Sequence, residues 1–231
     1  MLASRLDPGI AFCFPIVYYY CGKLQEMPGE SSDIFKTIGG PGQGLFKDRG
    51  SRFIGLAYPA ATAEEALAII EEVRKKFHDA RHHCFAWALG PEREEYRIND
   101  DGEPSGSAGR PIFGQILSLD VTNVVVIVVR YFGGTKLGVR GLINAYKAAA
   151  REALVNAGVV ERTVTARFEV LFNYNQMNDI MRMIDHSGAR ISAREFGENC
   201  RVQVEVPLSK FQQLVAGIDK LRVLQISTLE G

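Results

Sequence analysis

The chain has 231 residues, 46% apolar and 23% charged, a balance that fits an ordinary globular protein of one large or two small domains. Its 27 basic and 27 acidic side chains give a formal net charge of zero. That excludes a generally basic nucleic-acid binder, so any polyanion contact must come from a local patch.

The pattern along the chain begins with an apolar, aromatic run over 10–20, too short to span a bilayer and interrupted by Pro15. A signal peptide would want a basic start and a small-residue cleavage site. Here Asp7 offsets Arg5, and Tyr18, Tyr19 and Tyr20 stand where small residues would be. Residues 1–26 are therefore expected to be a disordered or misassigned extension, with Met27 as the working start and no membrane attachment. Cysteines at 13, 21, 84 and 200 include no CxxC pair, which points to a reducing, cytoplasmic setting.

Short strands are predicted over 34–38 and 51–57, around a loop rich in glycine (Gly39, Gly40, Gly42, Gly44). Thr62 and Glu65 form the capping box of a helix with Ala66, Leu67, Ile70, Val73 and Phe77 on one face. Strands follow over 84–89 and 95–98, joined through Gly90 and Pro91. The stretch 99–111, NDDGEPSGSAGRP, lacks apolar periodicity and reads as a loop. A short helix is expected over 111–119, then a fully buried central strand over the β-branched run 124–129. The helix expected over 141–157 turns Leu142, Ile143, Tyr146, Ala150, Ala153 and Leu154 inward and stops at Gly158.

A polar connector over 160–165 leads to strand 166–172, helix 176–186, strands 190–196 and 200–206, helix 209–218 and strand 222–227. That βαββαβ order predicts a ferredoxin-like domain with a structural or docking role. The fold class is α+β, with an extension over 1–26, a first domain over 27–160 and a second over 161–231.

Residues 121–151 carry Arg130, Lys136, Arg140, Lys147 and Arg151 and no acid. A buried strand runs there into the turn Gly133-Gly134-Thr135-Lys136-Leu137-Gly138 and then into a helix. Unpaired amides and the dipole at a helix start favour an anion. The loop over 100–111 sets Asp100, Asp101 and Glu103 beside Ser105, Ser107 and Arg110. Its spacing fails for an EF-hand and for a nucleophile elbow, and no Gly-Lys-Ser/Thr closes the basic turn as a Walker motif would. A metal, a helix cap, a positioned base, or a plain tight turn with side-chain-to-backbone hydrogen bonds all remain open. His78 and His82 are spaced i,i+4 with His83-Cys84 following, but the rest of a ligand set is missing, so no metal or cofactor is expected.

The strings DDGEPSGSAGRPI at 100–112 and VVRYFGGTKLG at 128–138 resemble the two signature strings of the IMPACT/YigZ family. SRFIG at 51–55 fits as well, and His83-Cys84 matches the family's histidine-plus-small-polar position. The resemblance covers about residues 34–160. Where many relatives have a small residue and a glycine after the KLG, this chain has Val139-Arg140-Gly141. The resemblance implies a first domain like ribosomal protein S5 domain 2 and a ferredoxin-like second domain, as at the end of elongation factor G. It also implies a role connected with translation control, which eukaryotic relatives exert by competing for the activator of a starvation-responsive kinase. That kinase role is not expected here, because those relatives use an additional N-terminal interaction domain.

Three functions follow as expectations. As a translation regulator binding RNA or the ribosome, the protein would contact phosphates through Arg110, Arg130, Lys136 and Arg140. Gly133, Gly134 and Gly138 would let the backbone approach, and Tyr131 or Phe132 would stack a base or else lie in the core. As an enzyme on a phosphorylated small molecule or nucleotide, it would use His83, Asp101 or Glu103 as acid or base. As a protein-docking module, it would present Asp100, Asp101 and Glu103 as an acidic ridge. A cleft loop of His83, Asp100, Asp101, Glu103 and Ser105 is expected over the 133–141 turn, and pairing of Asp101 or Glu103 with Arg110 or Arg130 would neutralise the basic patch and weaken the RNA reading.

Overall fold

The computed structural model describes residues 33–229, so the expected extension over 1–26 lies outside the described residues. Those residues form two compact units, the first ending at Val164 and the second starting at Thr165. The fold is mixed α and β.

The first unit runs β1 (Ile34–Ile38), β2 (Gly42–Asp48), β3 (Ser51–Pro59), α1 (Ala63–Lys76), β4 (His82–Leu89), β5 (Glu95–Asn99), α2 (Gly109–Ser118), β6 (Val124–Tyr131), α3 (Gly138–Ala157) and β7 (Val159–Thr163). Five strands form an antiparallel sheet in the order β2-β3-β6-β4-β5. Its central strand explains the uninterrupted apolar run. Val124, Val126 and Val128 pack with residues of α2 and α3, whereas Val125, Ile127 and Val129 pack with residues of α1. A strand covered on both faces favours an apolar residue at each position over 124–129. Thr62 caps α1 by accepting from Glu65 N at 3.3 Å, and Glu65 reaches back to Ala61 N at 2.8 Å.

Three sequence expectations change. The glycine-rich stretch is not a loop throughout, because β2 begins at Gly42. A Cβ on Gly42 would sit 2.2 Å from Ala153 O, and one on Gly55 2.2 Å from Ala149 O. These glycines let the alanine face of α3 lie directly on β2 and β3. The polar connector is β7, which pairs antiparallel with β1 across most of the unit's sequence, a non-local partnership that local pattern does not reveal. The helices also start earlier than expected, at Gly109 and Gly138, so that Arg110 and Arg140 belong to first turns rather than to the loops before them.

The second unit runs β8 (Thr165–Asn173), a 3-10 turn at Tyr174–Gln176, α4 (Met177–Ser187), β9 (Arg190–Glu195), β10 (Asn199–Pro207), α5 (Leu208–Asp219) and β11 (Gln225–Thr228). Its sheet has the order β11-β8-β10-β9, and the βαββαβ succession read from the sequence is present. Phe168, Val170 and Phe172 meet Ile180, Ile184, Phe211 and Leu214 in one core. The alternate positions of β8 and β10 carry ion pairs, Arg167–Glu205 at 3.7 Å and Arg201–Glu169 at 3.6 Å.

Candidate functional site

The loop between β5 and α2 is held by its own acids. Asp100 accepts from Gly106 N at 2.8 Å, Ala108 N at 2.9 Å and Gly109 N at 2.8 Å, so its carboxylate occupies the start of α2. It does so from eight residues upstream of Ala108, where no side chain caps the helix locally. An anion there satisfies the free amides and the dipole together. Asp101 has φ +42° and accepts from His83 N at 2.6 Å and Arg74 Nη2 at 3.2 Å. His83 is buried, with Nε2 3.1 Å from Phe77 O. Two tight turns, Glu103 N to Asp100 O and Ser107 N to Pro104 O, each at 2.9 Å, complete the loop.

Glu103 turns inward. It accepts from Arg130 Nη1 at 2.5 Å and from the Tyr146 hydroxyl at 2.8 Å. Cys84 Sγ lies 3.3 Å from that hydroxyl and 3.0 Å from Asp100 O. Burial pushes both the Cys84 thiol and the Tyr146 phenol up from their ordinary values, and the neighbouring Glu103 charge adds to each shift. The loop, β4, β6 and α3 are thus tied by one buried polar cluster. Helical period puts Tyr146 on the inward face of α3, but neither its hydroxyl nor the Cys84 thiol is legible in the sequence as part of this cluster. The available signal was a single hydroxyl-bearing ring in a face made of alanine and leucine.

Arg130 is not an exposed cation. Its side chain is 8% exposed, its charge is paired with Glu103, and its guanidinium lies 5.4 Å from the Phe53 ring centroid and 5.6 Å from that of Phe132. Lys136, Arg140 and Arg110 differ. All three are exposed, and among the described residues none pairs with a carboxylate within 4.0 Å. Lys136 and Arg140 flank the start of α3, which has no side-chain cap and no acid in its first turn. The preceding turn is anchored where Gly133 N donates to Ser51 Oγ at 3.1 Å. Gly134 and Gly138 have φ +89° and +71°, and the space a Cβ would fill at each is open.

The loop therefore reaches β6 and α3 through Glu103, and Gly133 lies against Gly50 and Ser51. Of the five cleft-loop residues, Ser105 is exposed, whereas His83, Asp100, Asp101 and Glu103 hold the structure together. A separate cleft of about 410 Å³ opens beside β1 and the residues preceding β6. Its cations are committed to Asp120, Arg93 at 2.5 Å and Lys36 at 3.6 Å. Among the described residues no group of three or more His, Cys, Asp or Glu side chains is placed to hold a metal ion. No helix among them is long and apolar enough to cross a membrane.

The family model of the Impact N-terminal domain matches residues 49–154, which include both signature strings and the whole of this cluster. IMPACT family member YigZ of Escherichia coli (strain K12) is 32% identical over 168 residues, covering 72% of this chain and 82% of that protein. The chain belongs to the IMPACT family. IMPACT family member YvyE of Bacillus subtilis (strain 168) is 33% identical over 156 residues, 68% of this chain and 72% of that one. A crystal structure described as a hypothetical protein overlaps 85% of this IMPACT-family chain and 98% of its own, at 29% identity and a TM-score of 0.62.

Proposed function

We propose that this IMPACT-family protein is a non-catalytic, cytoplasmic translation factor that binds RNA or the ribosome through the turn between β6 and α3. The observation that carries the reading is the pair of exposed cations Lys136 and Arg140, without a carboxylate partner among the described residues, beside an α3 start that has no side-chain cap and no acid in its first turn. Arg110 supplements them, and Gly134 and Gly138 leave the backbone approachable. Family membership supports the link to translation that the resemblance implies. The two units, meeting between Val164 and Thr165 rather than after residue 160, are read as ribosomal protein S5 domain 2-like and ferredoxin-like.

The acids and base that an enzymatic reading would use carry structural contacts. Asp101 is bonded to Arg74 and His83 N, Glu103 to Arg130 and Tyr146, and His83 to Phe77 O. In the acidic ridge of the docking reading, Asp101 and Glu103 make these same contacts and Asp100 accepts from Gly106 N, Ala108 N and Gly109 N.

The test is an anisotropy titration of the full chain with a labelled single-stranded RNA across a salt series. Each phosphate contact contributes about 0.7 to the slope of log affinity against log salt, so Lys136→Ala with Arg140→Ala should lower it by about 1.4. The loss of affinity should be similar across sequences. An unchanged affinity and slope in the double variant would end the proposal.

A further inference from the structure

We propose that Phe132 is a base-stacking platform, so that the ligand of the basic turn is single-stranded RNA held without base identification. This rests on the RNA reading above and specifies its ligand.

Phe132 is the last residue before the glycine turn and is 53% exposed. An isolated exposed aromatic is ordinary; this one is mounted. The Arg130 guanidinium lies 5.6 Å from its ring centroid, and Arg130 is fixed in turn by Glu103. The backbone beyond it is wedged, since a Cβ on Gly133 would stand 1.9 Å from the Gly50 carbonyl carbon. A buried cation against an aromatic ring is favourable and orients it. The ring is thus supported by the protein while half its surface faces solvent.

Tyr131 is committed otherwise. Its hydroxyl donates to Asp79 at 2.6 Å, and the Arg52 guanidinium lies 4.9 Å from its ring centroid. Of the two aromatic candidates, Phe132 is the one with open surface. Lys136 and Arg140 follow in the same turn and the first turn of α3, where a backbone running past a stacked base would place its phosphates. Phenylalanine has no hydrogen-bonding group to read a base edge, and every base has a π-face, so stacking here tolerates any sequence. A base within a duplex is already stacked on its neighbours and cannot take this position.

The experiment uses the full chain and three fluorescein-labelled probes of equal length: single-stranded oligoadenylate, its duplex with oligouridylate, and an abasic ribose-phosphate strand. Wild type should prefer the single strand. Phe132→Ala and Phe132→Leu should each weaken that binding roughly 5- to 150-fold, the range for one stacked base, and leave abasic-strand affinity unchanged. Phe132→Trp should retain binding, with quenching of the new indole on titration. Phe132→Leu keeps apolar volume, so a fold lost in the alanine variant does not remove the test.

Wild-type affinity for oligoadenylate in both Phe132→Ala and Phe132→Leu, with loss in the Lys136 and Arg140 double variant, overturns the stacking proposal and keeps the basic-turn reading. Equal affinity for duplex and single strand also overturns it. No binding of any probe by wild type overturns both.

Discussion

Glu103 Oε1 lies 2.5 Å from Arg130 Nη1, with 3% and 8% of the two side chains exposed. The pair joins an irregular loop to the central strand of the sheet. Two charges removed from water lose several kcal/mol of hydration each, and only close contact with further hydrogen bonds returns it. The Tyr146 hydroxyl supplies one such bond. Arg130 is thereby withdrawn from the cations a ligand can meet and becomes the support of Phe132.

Replacing Glu103 by alanine should therefore strand a buried guanidinium. The expected cost is about 3–5 kcal/mol in urea unfolding. Replacing both partners by apolar residues, Glu103→Leu with Arg130→Met, should recover much of it. A loss under about 1 kcal/mol for Glu103→Ala would mean that the loop is held by something else.

Asp100 predicts a graded series. Its Oδ1 serves Ala108 N and Gly109 N, and its Oδ2 serves Gly106 N. Asparagine can keep the first oxygen but sets an amide against Gly106 N–H. Thermal and urea unfolding should find Asp100→Ala destabilised by about 2–3 kcal/mol, as expected for losing charge-assisted bonds and a helix cap, and Asp100→Asn by less. Equal losses would exclude the two-oxygen arrangement.

Gly55→Ala tests the seat of α3. The added methyl would stand 2.2 Å from Ala149 O, which is backbone and cannot swing aside. Overpacking of this kind costs about 1–3 kcal/mol. The displaced helix carries Arg140 at its start, so RNA affinity should fall with stability. Full stability in this variant would show that the sheet can yield there.

The alkaline limb of stability should report the buried cluster. Cys84 and Tyr146 both titrate higher in the folded protein than in a free chain. A raised folded value contributes stability that is complete below the unfolded value, about 8.5 for a thiol, and is lost as pH rises above it. Urea midpoints should hold to about pH 8.5 and then decline, with at most about 1.4 kcal/mol per pH unit from the thiol. Cys84→Ala should flatten the first part of that decline. A rising midpoint between pH 8.5 and 10 would contradict the burial of these groups.

Read alone, the residue string specifies β6, whose burial on both faces makes one apolar run, and the amphipathic helices and βαββαβ succession, because side chains facing a core repeat with the period of their own backbone. It also determined the family, through two signature strings, and the cations Lys136 and Arg140 in an acid-free stretch. It takes the folded chain to show that Gly42 and Gly55 are packing surfaces for α3, that Val159–Thr163 is a strand, and which charges are available. Arg130 and Arg140 look alike in a string of letters. One meets Glu103 beneath the loop and the other meets water, since pairing and burial depend on residues that folding brings together from distant parts of the chain.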